Sequence, residues 1–289
     1  MNIEDVKKLG AEERIHHIQS GRWIGYERAK NLIAYFNELL NHPKVSRMPN
    51  ALLVGDTNNG KTMVLDTFVK QHPAREGDDG ESVYAPVLAI EAPAKPDVDE
   101  FYCSILEKVF APYKPNDRVS KKKFQVYGLL EELKVRVLVI DEIHNVVAGS
   151  EKNKKQFLNV IKGLGNHLKI PIIAAGTAEA FNAIQSDDQL ANRFNPCLLP
   201  KWKLDKDYLR LLASFEATLP LRKASKLATK QMATKILSLS EGSIGEISTV
   251  LTRAAIDSIQ SEEEHITLES LNRISYIPPS ERRRMRMDV

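Results

Sequence analysis

Short apolar runs alternate with amphipathic segments over the first part of the chain. The apolar runs lie at 51–54, 84–93, 137–140 and 170–177. Their length and continuity are typical of strands that are buried on both faces. Apolar residues at helical spacing predict helices before and between these runs, at 32–40, 98–113, 124–134 and 157–168. Because strands that alternate with helices form parallel sheets covered on both sides, this pattern predicts an α/β fold with three layers.

The pattern changes near residue 200. Beyond the stretch LPKWKL the strand signals stop, and short helical patterns continue up to residue 275. The final stretch, IPPSERRRMRMDV, has no apolar periodicity, so we expect it to be flexible. The sequence therefore predicts an N-terminal extension (1–20), an α/β core (21–199), a small all-helical region (200–275) and a basic C-terminal tail (276–289).

The composition is that of an ordinary globular protein, with 289 residues and a mean hydropathy of −0.31. No apolar stretch reaches the roughly 20 residues that span a bilayer, and the N-terminus lacks the apolar core of a signal peptide. The 2 cysteines give no disulfide framework, so we expect a cytoplasmic protein with no membrane partner. A net charge of +3 is only mildly basic, so nucleic-acid binding would depend on local clusters of lysine and arginine.

The first apolar run is followed by a pattern that binds phosphate. The stretch GDTNNGKT fits G-x-x-x-x-G-K-[ST], and a helical pattern begins immediately after it. In this pattern backbone N–H groups surround the phosphates at a helix N-terminus, the lysine contacts the outer phosphates and the hydroxyl contacts Mg²⁺. The alternative is a flexible surface loop, but the position between a strand and a helix favours a nucleotide site. The candidate residues are Gly55, Asp56, Thr57, Asn58, Asn59, Gly60, Lys61 and Thr62.

The third apolar run ends in two carboxylates. The stretch VLVIDE places Asp141 and Glu142 at the carboxyl end of a buried strand. There Asp141 can hold Mg²⁺ and its hydration shell, and Glu142 can activate a water molecule as a general base. The alternative is a solvated Asp-Glu pair at a strand end. The phosphate-binding pattern upstream favours the catalytic interpretation, with ATP and Mg²⁺ as cofactors.

Two further side chains fit the same reaction. Thr177 ends the fourth apolar run, where a polar group beside the acidic strand can sense the γ-phosphate and position water. The alternative is an ordinary Gly-Thr turn. Arg193, in DDQLANRFNP, has a planar set of donors that suits a phosphoryl group held by a neighbouring subunit. The alternative is a surface arginine paired with Asp187 or Asp188.

Together these motifs resemble an AAA+ ATPase, with a P-loop α/β core followed by a helical lid. The resemblance is carried by GDTNNGKT, VLVIDEIHN, IIAAGT and LANRF. More narrowly, RMPNALLVGDTNNGKT, DEIHN and SEGSIGEI resemble the TniB group of transposition regulators, which are related to TnsC proteins. By this resemblance Lys61 and Thr62 belong to Walker A, Asp141 and Glu142 belong to Walker B, Thr177 is sensor 1, and Arg193 is the arginine finger.

The resemblance implies an ATP-dependent protein that binds double-stranded DNA and directs a transposase to its target. Such proteins form homo-oligomers, as a ring or a helical filament, and also contact a targeting adaptor. One position departs from the pattern: relatives read EGxIGR where this chain reads EGSIGE, so Glu246 stands in place of the sensor 2 arginine. A carboxylate cannot stabilise phosphoryl charge, so we expect slow hydrolysis or a finger supplied mainly in trans.

Two smaller groups of residues complete the expected sites. Ile24 and Tyr26, just before the core, are candidates for the adenine pocket, although Trp23 and Tyr26 could simply pack the linker. Loops that related rings turn toward their axis contain Lys95 and the VSKKKF stretch, and hydroxyl and lysine groups bind DNA phosphates without reading bases. The alternative is a solvated charged surface. The candidate DNA contacts are Lys95, Ser120, Lys121, Lys122 and Lys123.

Two other functions remain open from the sequence. One is a replication initiator or helicase loader. The sequences NNGKT and DEIHN disfavour this function. The other is an adaptor that binds ATP without hydrolysing it, which Glu142 disfavours but Glu246 leaves open. Phosphate release by the wild type and by Glu142→Gln distinguishes the adaptor from both enzymes.

Overall fold

The computed structural model describes residues 2–21, 23–77, 79–185 and 191–285. The chain divides into two compact units. The α/β unit comprises Asn31–Thr57 and Lys61–Leu199, and the helical unit comprises Met1–Lys30, Asn58–Gly60 and Pro200–Val289. Residues 1–30 thus belong with the residues after 200, which the sequence pattern did not indicate.

The described elements follow the predicted alternation. The strands are β1 (Asn50–Gly55), β2 (Arg75–Glu76), β3 (Val83–Tyr84), β4 (Val87–Glu91), β5 (Val137–Asp141), β6 (Ile172–Gly176) and β7 (Phe194–Leu199). The helices are α1 (Ile3–Val6), α2 (Ala11–Gln19), α3 (Glu27–Asn41), α4 (Lys61–Gln71), α5 (Val98–Lys108), α6 (Val119–Glu132), α7 (Glu151–Leu168), α8 (Ala178–Gln185), α9 (Lys206–Thr218), α10 (Lys230–Ser240), α11 (Ile244–Gln260), α12 (Leu268–Arg273) and α13 (Pro279–Met285). A 3₁₀ helix covers Ile143–Ala148.

Five parallel strands form the central sheet of the α/β unit, in the order β4-β5-β6-β1-β7. Parallel neighbours bring the ends of β1, β5 and β6 to one edge, and those ends carry the predicted chemistry. Strands β2 and β3 form a separate antiparallel pair. The predicted α/β architecture is therefore confirmed.

Apolar side chains fill both faces of the sheet. On one face Leu52, Ile140 and Ala174 belong to a core that also contains Phe101 of α5 and Phe157 of α7. The alternate residues of the same strands are buried as well, as Leu53, Val139 and Ile173 show by exposures of 0 %, 1 % and 0 %. Burial of consecutive residues requires cover on both faces, which explains why these strands have continuous apolar runs.

Two elements differ from the sequence prediction. Strand β7 was not predicted, because Pro196 within FNPCLL is a residue that interrupts central strands. It is accommodated because β7 lies at the edge of the sheet and pairs only with β1. Helix α6 begins at Val119, so the stretch VSKKK lies in its first turns and not in a connecting loop.

The helical unit contains a buried ion pair that fixes the N-terminal helices. Arg14, which is 2 % exposed, donates from both terminal nitrogens to Glu264 at 2.7 and 2.8 Å. The Arg14 guanidinium lowers the pKa of the Glu264 carboxyl, which holds both charges in place. The tail was expected to be irregular, but Pro279–Met285 forms a helix and Arg282 contacts Glu246. Arg286 lies outside the described residues.

Among the described residues, no helix is both long and apolar enough to cross a bilayer.

Candidate nucleotide site and nucleic-acid surface

The predicted phosphate loop connects the end of β1 to the start of α4. Lys61 is 5 % exposed, and its Nζ donates to the carbonyl oxygens of Gly55 and Asp56, both at 3.0 Å. The ammonium group therefore lies beside the first residues of the phosphate loop, where a lysine that binds outer phosphates is needed. A Cβ on Gly55 would lie 3.1 Å from Leu199, which explains the glycine at that position.

The backbone of the loop changes handedness between neighbouring residues. Asn58 has φ 60° and Gly60 has φ 86°, both in the left-handed region. Asparagine and glycine adopt this region most readily. Backbone that alternates in this way turns successive N–H groups toward one side and forms an anion-binding nest. The local conformation therefore suits phosphate.

The predicted magnesium ligands lie in contact. Thr62 Oγ1 donates to Asp141 Oδ2 at 2.7 Å, and the other oxygen of Asp141 accepts from the Glu142 N–H at 2.8 Å. A hydroxyl and a carboxylate are hard oxygen donors of the type that Mg²⁺ prefers. Two protein ligands suffice, because Mg²⁺ in nucleotide sites keeps waters and phosphate oxygens as its other ligands. The donor set thus fits Mg²⁺.

Glu142, the predicted general base, has an unusual backbone. Its φ of 53° is left-handed, which is uncommon for a residue with a side chain and recurs at functional sites. Its Oε2 lies 2.8 Å from His144 Nδ1, and both side chains are partly exposed. The sequence alone indicates no role for His144, because nothing in DEIHN shows that residue 144 turns back toward residue 142.

Thr177 immediately follows β6, between the strands that end in the phosphate loop and in Asp141. Its Oγ1 is buried and has no hydrogen-bond partner among the described residues. Buried hydroxyl groups are normally paired, so an unpaired one requires a reason. A role for the Thr177 hydroxyl in binding phosphate or an attacking water molecule would explain why it has no protein partner.

Arg193 lies beside the amino ends of the parallel strands, whereas the phosphate loop follows the carboxyl end of β1. Its carbonyl oxygen accepts from the N–H of Asn50, the first residue of β1, whereas Gly55 is the last. Its Nη1 donates to Asn166 Oδ1 at 2.5 Å, and its Nε is buried with no hydrogen-bond partner in the described part of the chain. Burial, with Arg47 nearby, lowers the pKa of the guanidinium. The predicted alternative partners, Asp187 and Asp188, lie outside the described residues.

The candidate adenine contacts lie in the helical unit. Ile24 and Tyr26 are 8 % and 9 % exposed. The ring of Tyr26 meets that of Trp202 edge to face, with centroids 5.1 Å apart, and burial raises the Tyr26 pKa to about 12. The structure therefore gives Tyr26 a packing contact, the alternative that the sequence left open.

The lysines predicted to bind DNA have different environments. Lys122 is 1 % exposed, and its Nζ donates to Asp99 at 2.8 Å and to the Pro115 carbonyl at 3.0 Å. Its inclusion as a surface contact was therefore wrong, since the helical turn directs it inward. The other predicted contacts, Lys95, Ser120, Lys121 and Lys123, are exposed.

Helices α6 and α7 form a basic groove of about 480 Å³. We call it the lysine groove. Lys123, Lys152 and Lys155 line it together with Tyr127 and the neutral polar residues Gln156 and Asn159. Among the residues that line it none is acidic, and in the described part of the chain Lys152 and Lys155 have no ion pair. The sequence showed these lysines only as two separate clusters, because their proximity depends on how α6 and α7 pack.

Comparisons with known proteins give a family and a fold. A family model described as "Bacterial TniB protein" matches residues 14–204. The ATP-binding subunit ClpE of the ATP-dependent Clp protease of Bacillus subtilis is 25 % identical over 180 residues. That match covers 62 % of this chain but only 23 % of the relative.

Solved structures with the same fold include archaeal proteins. The Aeropyrum pernix ORC2 protein has a TM-score of 0.59 at 13 % identity, covering 84 % of this chain and 65 % of that one. Cdc6p of Pyrobaculum aerophilum has a TM-score of 0.59 at 14 % identity, covering 88 % and 68 %. The Aeropyrum pernix ORC1 protein, solved in complex with DNA, has a TM-score of 0.56 at 16 % identity, covering 95 % and 70 %. At such identities the likeness shows the fold alone, which is the predicted P-loop AAA+ core followed by a helical region.

Proposed function

Because the chain belongs to the Bacterial TniB protein family, we propose that it is an ATPase that assembles on duplex DNA and directs a transposase to its target. The observation that supports ATP chemistry best is the 2.7 Å hydrogen bond from Thr62 to Asp141. It joins two motifs that are far apart in sequence at the position where Mg²⁺ requires both. ATP and Mg²⁺ are the cofactors of this proposal.

The residues of the site divide the reaction between them. Lys61 binds the outer phosphates, and Thr62 and Asp141 are the residues that would hold Mg²⁺, which would supply positive charge beside the phosphates. Glu142 accepts a proton from the attacking water, and Thr177 holds that water or the γ-phosphate. Hydrolysis then requires a further cation at the transferring phosphoryl group, and the arginine of another subunit is the candidate.

The position of Arg193 supports a homo-oligomer. A side chain at the amino edge of the sheet is remote from the phosphate loop at the carboxyl edge of the same chain. Contact between unlike surfaces of successive subunits produces a ring when it closes and a helical filament when it does not. ATP held at such a contact makes assembly depend on the nucleotide.

The lysine groove supports DNA binding. The three ammonium groups have no ion pair among the described residues, and beside neutral polar side chains they suit consecutive phosphates of a backbone. Such contacts do not read base sequence. Lys95, Ser120 and Lys121 are exposed and extend the proposed surface. A transposase and a targeting adaptor are the protein partners that the family implies.

Assembly on DNA tests this function. The wild type is imaged by electron microscopy on duplex DNA with ATP, with ADP and without nucleotide, and Lys61→Ala is imaged in parallel. We expect ordered assemblies on DNA with ATP and their loss in Lys61→Ala, because the main cation on the outer phosphates is absent. Lys70→Ala, an exposed lysine at the end of α4, is the control and should assemble normally. Equal ATP affinity in Lys61→Ala and the wild type would contradict the assignment of the site.

A further inference from the structure

One buried carboxylate connects the phosphate loop to the C-terminal helix within the helical unit. Glu246 lies in the first turn of α11 and is 9 % exposed. Its Oε1 accepts a hydrogen bond from Asn58 Nδ2 at 3.0 Å. Its Oε2 accepts from Arg282 Nη2 at 2.6 Å and from the hydroxyl of Tyr276. A single side chain therefore bonds to both the loop and the end of the chain.

Asn58 is held by the same start of α11 through its backbone. Its carbonyl oxygen accepts from Ser243 Oγ at 2.6 Å and from the Gly245 N–H at 3.0 Å. A Cβ on Gly245 would lie 1.9 Å from Asn58 Oδ1, so any larger residue there would displace the Asn58 side chain. Because Asn58 is confined on several sides, a shift of Glu246 is transmitted to the loop.

The charge of Glu246 needs a counter-ion. Burial alone would raise the pKa of its carboxyl, but the hydrogen bonds from Arg282, Tyr276 and Asn58 outweigh that effect and lower it. Glu246 is therefore an anion in contact with a residue of the phosphate loop, where it repels phosphate unless a cation neutralises it. Arg282 is that cation, and its own pKa is raised by the contact.

The remainder of the C-terminal segment is held by a second carboxylate. Glu241 Oε1 accepts from the Ser280 N–H at 2.8 Å, and its Oε2 lies 3.6 Å from Arg283 Nη2. By contrast, Arg284 has no ion pair among the described residues, although it lies on the same short helix. The helix thus offers one arginine that contacts Glu246 and another that does not.

We propose that Glu246 is a positioning residue for the nucleotide and that Arg282 is its counter-ion, so that the C-terminal helix sets the affinity of the phosphate loop for ATP. The proposal rests on the proposed function only in that the loop binds ATP. Arg282 neutralises Glu246, and Glu246 fixes the side chain of Asn58. Because linkage between two sites is reciprocal, any ligand that withdraws Arg282 from Glu246 weakens ATP binding, and ATP opposes that withdrawal.

The first test compares Arg282→Ala with Arg284→Ala in the full chain without DNA. Both variants lose one positive charge from the same helix. We expect Arg282→Ala to raise the dissociation constant for ATP about tenfold, since it leaves a buried carboxylate unpaired. KM should rise more than kcat falls, and Arg284→Ala should stay within about twofold of the wild type. Thermal unfolding of each variant shows that it is folded.

The second test removes the unpaired charge. The variant Glu246→Gln/Arg282→Ala should bind ATP within about threefold of the wild type, because the amide still accepts a bond from Asn58 without repelling phosphate. This double variant has no unpaired charge, so it tests the proposal even where Arg282→Ala alone does not fold.

The outcomes separate the two proposals. Equal ATP affinity in Arg282→Ala and Arg284→Ala, or a double variant about tenfold weaker than the wild type, overturns the role of Glu246 and Arg282 while the wild type still binds ATP. A wild type that does not bind ATP overturns the proposed function as well.

Discussion

At the scale of single residues, Glu142 combines a strained backbone with a side chain that contacts His144. Its left-handed φ directs the carboxylate toward His144, at 2.8 Å. Strain of this kind persists only where surrounding contacts determine the conformation. The contact with His144 gives Glu142 a defined orientation, which a general base needs before water and substrate arrive.

We expect Glu142→Gln to hydrolyse ATP at least about 100-fold more slowly than the wild type while it binds ATP with about the same affinity. The base is lost, whereas Lys61, Thr62 and Asp141 remain. Phosphate release measures the rate, and fluorescence titration with an ATP analogue measures affinity. Assemblies on DNA should last longer, because hydrolysis that loosens them is slow.

The matched control is Glu91→Gln. Glu91 ends β4 and is paired in register with Asp141 at the same edge of the sheet, so the charge change and the location are similar. Its hydrolysis rate should stay near that of the wild type. If both variants were equally slow, or if Glu142→Gln were fully active, Glu142 would not be the base.

The motif residues of the site could be predicted from sequence because their spacing is local. The phosphate pattern and the Asp-Glu pair each lie within one strand end, and the α/β alternation then brings the strand ends together. Lys122 could not be placed, because its burial depends on Asp99 of another helix. The contact of Tyr26 with Trp202 could not be predicted either, since the two residues are far apart in the sequence.

At the scale of elements, the first turns of α6 and α7 are rich in lysine although a helix N-terminus is positively polarised. Cations in the first turn are unfavourable for the helix itself. Lys123 on α6 and Lys152 and Lys155 on α7 nevertheless converge in the lysine groove. An arrangement that costs stability and concentrates positive charge suits an anionic ligand.

Replacing Lys123, Lys152 and Lys155 together by Gln should weaken DNA binding to a similar extent for every sequence. The log–log dependence of affinity on salt should become shallower by about 0.9 units for each phosphate contact that is lost. Fluorescence anisotropy with a labelled duplex at several salt concentrations measures both effects.

The control replaces Lys44, Lys70 and Lys230 by Gln. These lysines are exposed and lie outside the groove, and the net charge changes by the same amount. Its salt slope should equal that of the wild type. Equal slopes in the two triple variants would move the DNA site away from α6 and α7.

Element boundaries show why part of the fold was missed. Strand β7 was not predicted because it contains Pro196. The start of α6 was placed too late because charged residues precede Phe124. The length of a helix and the position of a strand within its sheet depend on tertiary packing, which overrides local propensity. The helical conformation of Pro279–Met285 depends likewise on Glu241 and Glu246.

At the scale of the whole molecule, the predicted site residues lie at opposite ends of the strands of the sheet. Asp141 and the phosphate loop occupy the carboxyl edge, and Arg193 occupies the amino edge. If Arg193 serves the site of a neighbouring chain, each complete site draws Glu142 and Arg193 from different subunits.

Mixing two inactive variants tests this arrangement. Glu142→Gln and Arg193→Ala should each hydrolyse ATP slowly, but an equal mixture should recover activity. With random assembly about one contact in four joins an intact Glu142 to an intact Arg193, so about a quarter of the wild-type rate is expected. Arg47→Ala, which removes the arginine near Arg193, is the control and should stay active alone. A mixture no more active than its components would show that Arg193 does not act in trans.

The strand order also governs how the chain forms during synthesis. Ala51 of β1 pairs with Ile173, and Asn50 pairs with Phe194. A ribosome must therefore translate almost to Pro200 before β1 acquires both neighbours. Until then β1 has apolar side chains and unpaired backbone N–H and C=O groups, so it is prone to aggregate. Such long-range pairing is also slow. We infer that the nascent chain depends on shielding of residues 50–55 and acquires a nucleotide site only late in translation.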